Sequence, residues 1–354
     1  MISFLKKFIL NHPLKRITYA DYIEMALYHP EFGYYMRDKE KIGRTGDFIT
    51  TSNISDIYGR SIAKWYFKQM TQLKLAPAIC EIGAGTGRFA KAFIDEWNHL
   101  SSVPIHYYIL EASPYHRKVQ QDVLDFNDYV KQIESLDEIN PFEGLIFSNE
   151  LYDALPVHVV ENHSGQLMEL MVGLNDDQFV EIAVPLENEK IMNFIKSSGL
   201  KLKNNQRIEI PLLMEEIIGS IATALSKGLV LTVDYGYTNE EWLEQGRRDG
   251  SLRGYYQHQQ FNHVLVHPGE MDITSHVHFD SLIRIGDQLG LAFQQKWRQD
   301  EFLLETGILD DLQNHYDPDP FSEVSKRNRA IRSLIMPSGI SGSFHVILQK
   351  KGIK

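Results

Sequence analysis

Three glycines, Gly83, Gly85 and Gly87, alternate in "AICEIGAGTGRFAKAF" (residues 78–93), directly after an apolar run and directly before a helical pattern. Small residues there let a ligand lie against the backbone, and the free N–H groups of a helix start favour an anionic group. The spacing is G-x-G-x-G, whereas dinucleotide sites use G-x-G-x-x-G. Glu81 closes the preceding strand, where a pyrophosphate would meet repulsion and a cationic group would not. Glu111 closes the next strand, in "YYILEAS", where it could accept both hydroxyls of a ribose. S-adenosylmethionine fits all three features: a ribose for Glu111, an ammonium for Glu81 and a carboxylate for the helix N-terminus. NAD stays a second candidate for this loop, although no second nucleotide-binding half is found in the chain.

Asn149, Glu150 and Asp153 follow the apolar run "GLIFS" in "SNELYDALP". Ligands of an open α/β sheet bind at the carboxyl ends of its strands, so these groups should face the same crevice as the glycines. Asn149 suits the cofactor's edge or a substrate nitrogen. Glu150 and Asp153, three apart on an incipient helix, could converge on one cation. A guanidinium held that way would present a nitrogen to a methyl group, and an acid would take the released proton. The alternative is a helix capped by Asn149, with acids favoured in its first turn.

"HPGEMDITSHVHF" offers His267, Asp272, His276 and His278, but no second cluster completes a metal set, so no metal is expected. A lid or substrate-contacting loop is the better reading. "SLRGYYQH" could add Arg253, Tyr255 and His258 to that lid, or simply pack it. No Ser-His-Asp or Cys-His order emerges.

The elements that must position these groups follow from the pattern. From Ala78 onward, apolar strands alternate with helical stretches, which implies a doubly wound, mostly parallel α/β sheet with an antiparallel edge strand. Residues 1–75 read as an N-terminal helical and loop segment closing over the cofactor. The sheet domain begins at 76–155 and resumes at 226–237 and 279–354. Residues 156–225 read as an inserted small antiparallel β unit plus helices on the substrate side, and 238–278 as a lid or loop.

The 354 residues carry a net charge of −11, which argues against the basic face a nucleic acid needs. No apolar run approaches a membrane span, so no membrane partner is expected. The single cysteine, Cys80, sits in an apolar strand and reads as buried and inert. "MISFLKKFILNHPLK" lacks a secretory cleavage pattern and reads as an amphipathic docking helix, with the cytoplasm the simplest location.

With these stretches in hand, the sequence resembles the MidA-like methyltransferases, the family of the mitochondrial complex I assembly methyltransferase. The resemblance runs from about Thr18 to the C-terminus, through "ALYHPEFGYY", "GDFIT", "EIGAGTG", "NELYDALP", "DYGY", "GSLRGYYQH" and "HPGEMDITSHVHF". It implies a class I, Rossmann-like, S-adenosylmethionine-dependent methyltransferase acting on a protein, with arginine the favoured acceptor. It also implies that Gly83, Gly85 and Gly87 form the cofactor loop, that Glu111 is the ribose acid, and that Gly46 and Asp47 close over the cofactor. The chain departs from the family at Ala84, Ser52, Asn53 and His278, thinning the substrate-side acids; that departure motivates the alternative of a scaffold protein that keeps the fold without turnover. The oligomeric state stays open, a homodimer included.

Overall fold

The computed structural model describes residues 1–38, 56–312, 319, 321–336 and 343–353. The chain enters through α1 (Ile2–Asn11), a short strand β1 (Arg16–Thr18) and α2 (Tyr19–Tyr28). Thr18 caps α2 by accepting from the Asp21 amide, and Asp21 accepts from the Thr18 amide in return. Two orphan donors are thereby satisfied. α3 (Ile57–Leu73) follows and buries Tyr58, Ile62 and Tyr66.

From Ala78 the chain alternates through β2 (Ala78–Ile82), α4 (Arg88–Leu100), β3 (His106–Leu110), α5 (Pro114–Val123), β4 (Val130–Ile133) and β5 (Phe142–Asn149). β2 is buried at all five positions, as an interior strand covered by helices must be. On α4, Phe89, Phe93 and Trp97 recur every four residues and sink one stripe into the core. Each large apolar side chain buried this way contributes roughly 1.5–3 kcal/mol.

After β5 the chain leaves this sheet. β6 (His158–His163), β7 (Gln166–Asn175), β8 (Gln178–Pro185) and β9 (Arg207–Ile210) form an antiparallel sheet, with α6 (Glu189–Ser198) between its last two strands. The sheet also recruits β1, which pairs with β7 from Arg16↔Gly173 to Thr18↔Met171. A three-residue strand is too short for alternation to register, so the N-terminal contribution escapes a periodicity reading. α7 (Leu212–Ala224) then returns the chain to β10 (Leu225–Tyr237).

Residues 238–278, expected as a lid or loop, carry short regular elements. They hold a one-turn α8 (Asn239–Trp242), a three-stranded sheet of β11 (Arg253–Tyr256), β12 (Gln259–Phe261) and β13 (Asp272–Thr274), and β14 (Val277–His278) beside the end of β10. Trp242, Met271 and Ile273 are fully buried and anchor the segment. Its strands span only two to four residues, below the length at which a pattern declares itself.

α9 (Phe279–Gln288), β15 (Ala292–Arg298), α10 (Gln299–Glu305), α11 (Glu323–Ile335) and β16 (Phe344–Lys351) complete the chain. The main sheet runs β15-β16-β10-β5-β2-β3-β4. β16 runs antiparallel to both neighbours, while β10, β5, β2, β3 and β4 are parallel. The reversed strand thus enters one place in, with β15 outside it. Because β3 and β5 flank β2 on opposite sides, a crevice opens over the carboxyl ends of these strands. One apolar cluster, with α3, α4, α10 and α11, covers one face; another, with α6, α7 and α9, covers the other. A third lies beneath α1, α2 and the antiparallel sheet.

Candidate active site

All three glycines after β2 adopt left-handed backbone: φ is 75° at Gly83, 53° at Gly85 and 78° at Gly87, which also caps α4. Side chains strain such angles, so the run of glycines is what lets β2 turn sharply into α4 and leaves the loop's crest bare. Glu111 stands across it. Its Oε2 accepts from the Gly85 amide at 2.7 Å and its Oε1 from the Ser113 amide at 2.8 Å. A carboxylate has about four lone-pair positions, so roughly two remain for a ligand's hydroxyls.

Glu81 lies at the loop's base, where Tyr107 donates to its Oε2 at 2.6 Å. Burial pushes its pKa up to about 8; the Tyr107 bond pulls it down and the Glu111 charge adds to the rise. Glu81 therefore keeps a proton at neutral pH, and an ammonium arriving there would release it. At the end of β5, Tyr58 donates to Asn149 Oδ1 at 3.3 Å, and Asn149 Nδ2 donates to Glu150 Oε1 at 3.1 Å.

The next turn is not the incipient helix expected for Glu150 and Asp153. Glu150 has φ 52° and its amide donates to the Val233 carbonyl, the Tyr152 amide donates to Asp234 Oδ2, and the Asp153 carbonyl accepts from Ser275. These backbone groups are tied sideways to β10 and the 275 segment, so none is left for helical bonds. Asp153 ends up 4% exposed. Tyr235 donates its hydroxyl to Asp153 Oδ2, while Oδ1 is buried with no hydrogen-bond partner. Burial raises the Asp153 pKa to about 6, against the opposing pull of the Tyr235 bond and nearby backbone amides. Behind it, burial and the Asp153 charge push fully buried Asp234 well above the carboxylate range.

Aromatic rings wall this turn. Tyr28 donates to the Ala154 carbonyl at 3.0 Å and stacks on Tyr35 at 5.5 Å. Tyr235, bonded to Asp153, meets Phe344 edge-on at 5.3 Å. Tyr35 in turn donates to Asp272 Oδ1 at 2.6 Å. The glycine loop, Glu81, Glu111, Asn149, Glu150 and Asp153 all line one cavity of about 1630 Å³, and these rings line it too.

The structure thus gathers the described residues of the glycine loop and the strand ends into one cavity wall, except Gly87, the helix cap. Of the residues offered for a substrate-contacting loop, Tyr255, Asp272 and His276 line the cavity, whereas Arg253, His258, His267 and His278 are not among its lining residues. Gly46 and Asp47 lie outside the described residues. Tyr28, Tyr35 and Tyr235 escape a motif-based reading of the site, although "DYGY" ends a strand with an acid and a tyrosine, a signal of the same kind as "SNE". His116 is also missed: it is buried, lines the cofactor end, and has an Nε2 without a hydrogen bond. Among the described residues no three His, Cys, Asp or Glu side chains gather as a metal set would. No described helix is long and apolar enough to cross a membrane.

The bare glycine crest, the uncommitted lone pairs of Glu111 and the ammonium-ready Glu81 fit S-adenosylmethionine. The chain matches the S-adenosyl-L-methionine-dependent methyltransferase family model over residues 61–296. It is 25% identical to "Protein arginine methyltransferase NDUFAF7, mitochondrial" of Danio rerio, covering 81% of this chain and 74% of that one. The Homo sapiens protein of the same name is 25% identical over 82% of this chain and 70% of its own. A Burkholderia thailandensis structure bound to S-adenosyl-homocysteine superposes with a TM-score of 0.90 at 26% identity, covering all of this chain and 92% of that one. The relatives are named mitochondrial proteins, which overturns the expectation of a cytoplasmic location. The chain belongs to this methyltransferase family, and its cofactor is S-adenosylmethionine rather than NAD.

Proposed function

We propose that this member of the S-adenosylmethionine-dependent methyltransferase family methylates an arginine side chain of a protein substrate. The guanidinium enters between the Tyr28–Tyr35 wall and the Tyr235–Phe344 wall and meets Asp153 on the floor. One observation carries the reading: the hydroxyls of Tyr28 and Tyr235 converge on residues 153–154, giving a cavity lined by aromatic rings and a buried acid. Ring faces attract cations, by about 2 kcal/mol or more when desolvated, and the carboxylate supplies the matching charge. The relatives' names support the same acceptor.

The residue roles are part of this proposal. Gly83, Gly85 and Gly87 shape the loop for the cofactor's amino-acid end, Glu81 takes its ammonium, Glu111 its ribose, and Asn149 its acceptor-facing edge. Gly46 and Asp47 keep the closing role the family resemblance implies. When bound, S-adenosylmethionine supplies an electrophilic methyl group on a sulfonium. Glu150 orients the guanidinium, and Asp153 receives the proton that the acceptor nitrogen loses as its bond to carbon forms. Residues 156–225 and 238–278 belong to the substrate side, and 1–75 cover the cofactor while also lending Tyr28 and Tyr35 to the acceptor wall.

The test is a labelled-methyl assay with peptides containing arginine or lysine in otherwise identical sequence, read by mass spectrometry. Label on arginine alone is expected. Label on lysine alone, from protein that binds the cofactor, would overturn the acceptor assignment.

A further inference from the structure

The two histidines of "SHVH" (residues 275–278) look equivalent in the sequence and end in opposite environments. His278 is 1% exposed; its Nε2 bonds the Glu209 carbonyl at 2.7 Å and its ring stacks on Trp242 at 4.5 Å. That is a core histidine with one ring nitrogen bonded internally, although its Nδ1, like that of His276, has no hydrogen-bond partner. His276 instead lines the cavity that holds Asp153 and Tyr235.

The His276 ring is held from several directions. It stacks on Tyr237 at 4.3 Å with 14° between planes, and the Arg247 guanidinium lies 4.0 Å from the centre of the same Tyr237 ring. It meets Tyr235 edge-on at 5.1 Å, and its backbone amide donates to Ser251 Oγ at 2.9 Å. None of this packing uses the imidazole's polarity. Nδ1 is buried without a hydrogen bond, and among the described residues no group bonds either ring nitrogen. A ring needed only for shape would be served as well by phenylalanine, which would not strand a buried polar atom. Burial, with Arg253 and Arg247 nearby, lowers its pKa to about 4, so the ring is uncharged at neutral pH.

We propose that His276 is a second acceptor-binding residue of the chamber, its imidazole taking one N–H of the incoming guanidinium while Asp153 takes the charge. This rests on reading the cavity as an arginine chamber. A guanidinium brings five N–H donors, more than Glu150 and the one free oxygen of Asp153 readily receive between them. A further carboxylate beside Asp153, Asp234 and Glu150 would make the group harder still to ionise, whereas a neutral imidazole adds an acceptor without adding charge. The Tyr235 ring, in contact with His276 and bonded to Asp153, fixes the two acceptors relative to one another.

The probe is acetyl-Gly-Arg-Gly-amide, titrated by calorimetry into protein loaded with S-adenosylhomocysteine, alongside KM and kcat for the same peptide. His276→Phe keeps a ring on Tyr237 and removes the acceptor; it should weaken binding and raise KM by roughly tenfold, the cost of a lost hydrogen bond to a charged group. Its kcat, melting temperature and S-adenosylhomocysteine affinity should stay close to wild type. His276→Gln restores an acceptor and should recover part of the loss. Wild-type binding by His276→Phe would overturn the assignment. Wild-type protein that ignores the peptide while binding S-adenosylhomocysteine would sink the arginine reading and this inference together, so the two failures are told apart.

Discussion

The cavity's two ends are built on opposite plans. The cofactor end comes largely from one continuous stretch, Glu81 to Glu111, whose groups hold one another: the Gly85 and Ser113 amides grip Glu111, and Tyr107 grips Glu81. The acceptor end is gathered from α2, the turn after β5, β10 and the 253–276 segment, and it exists only where these meet. A locally built end answers mainly to its own residues, whereas a convergent end answers to anything that moves one of its contributors.

Asp153→Asn should separate the two ends most sharply. Methyl transfer should fall by roughly 10²- to 10⁴-fold, the usual worth of a positioned proton acceptor, with S-adenosylmethionine affinity nearly unchanged by calorimetry. A parallel loss of cofactor affinity would mean the ends are not independent. Glu111→Ala should do the reverse, weakening the cofactor by roughly 10- to 100-fold while the rate at saturating cofactor stays near wild type. Unchanged affinity would remove Glu111 from the ribose contact.

Proton linkage sharpens the contrast further. With Glu81 raised to about 8 in the free protein, binding an ammonium should expel a proton near pH 7, and affinity should climb by up to about tenfold per pH unit as pH approaches 8. Titrations in buffers of different ionisation enthalpy would reveal the proton, and Glu81→Gln should flatten the profile. The same shift affects stability. Because the folded value lies above the ordinary 4.5, the contribution of Glu81 is complete below pH 4.5 and lost as pH rises through 8. Wild type should therefore lose melting temperature relative to Glu81→Gln across that range.

Tyr235→Phe should have the smallest effect. The Tyr235 hydroxyl lowers the Asp153 pKa, so removing it should move the acid limb of the pH–rate profile upward from about 6, costing a few-fold in rate at pH 7. A limb that stays put would mean another group titrates there.

The glycine-loop end of the cavity, proposed above for the cofactor, was legible as a pattern in the sequence because its contacts are local. Strand, three glycines, helix and the acid of the next strand read off as a pattern, and the alternation from Ala78 discloses the parallel sheet. The acceptor end was only half legible. Glu150 and Asp153 stood out as acids, but a helix was the wrong frame for them, since a three-residue spacing cannot show that Val233, Asp234 and Ser275 would claim the turn's backbone. Tyr28 and Tyr235, 207 positions apart, meet at one turn that no window spans. The 238–278 segment stands out in the sequence for its length, but its small sheet does not, because strands this short leave no periodic trace.

β16 bears on how the molecule is made. It is the last strand of the main sheet to be synthesised, yet it lies between β10 and β15 rather than at the rim. A chain emerging N-terminus first can pair β2, β3, β4 and β5, and so shape the cofactor loop, while residues 344–351 are still being translated. Until they arrive, β10 presents an unpaired edge of up to eight residues, from Gly228 to Tyr235, whose far end carries the tyrosine that grips Asp153. The nascent protein should therefore acquire its capacity to hold the methyl donor before it acquires a finished place to use it, and in that interval the open edge is where a chaperone would have most to protect.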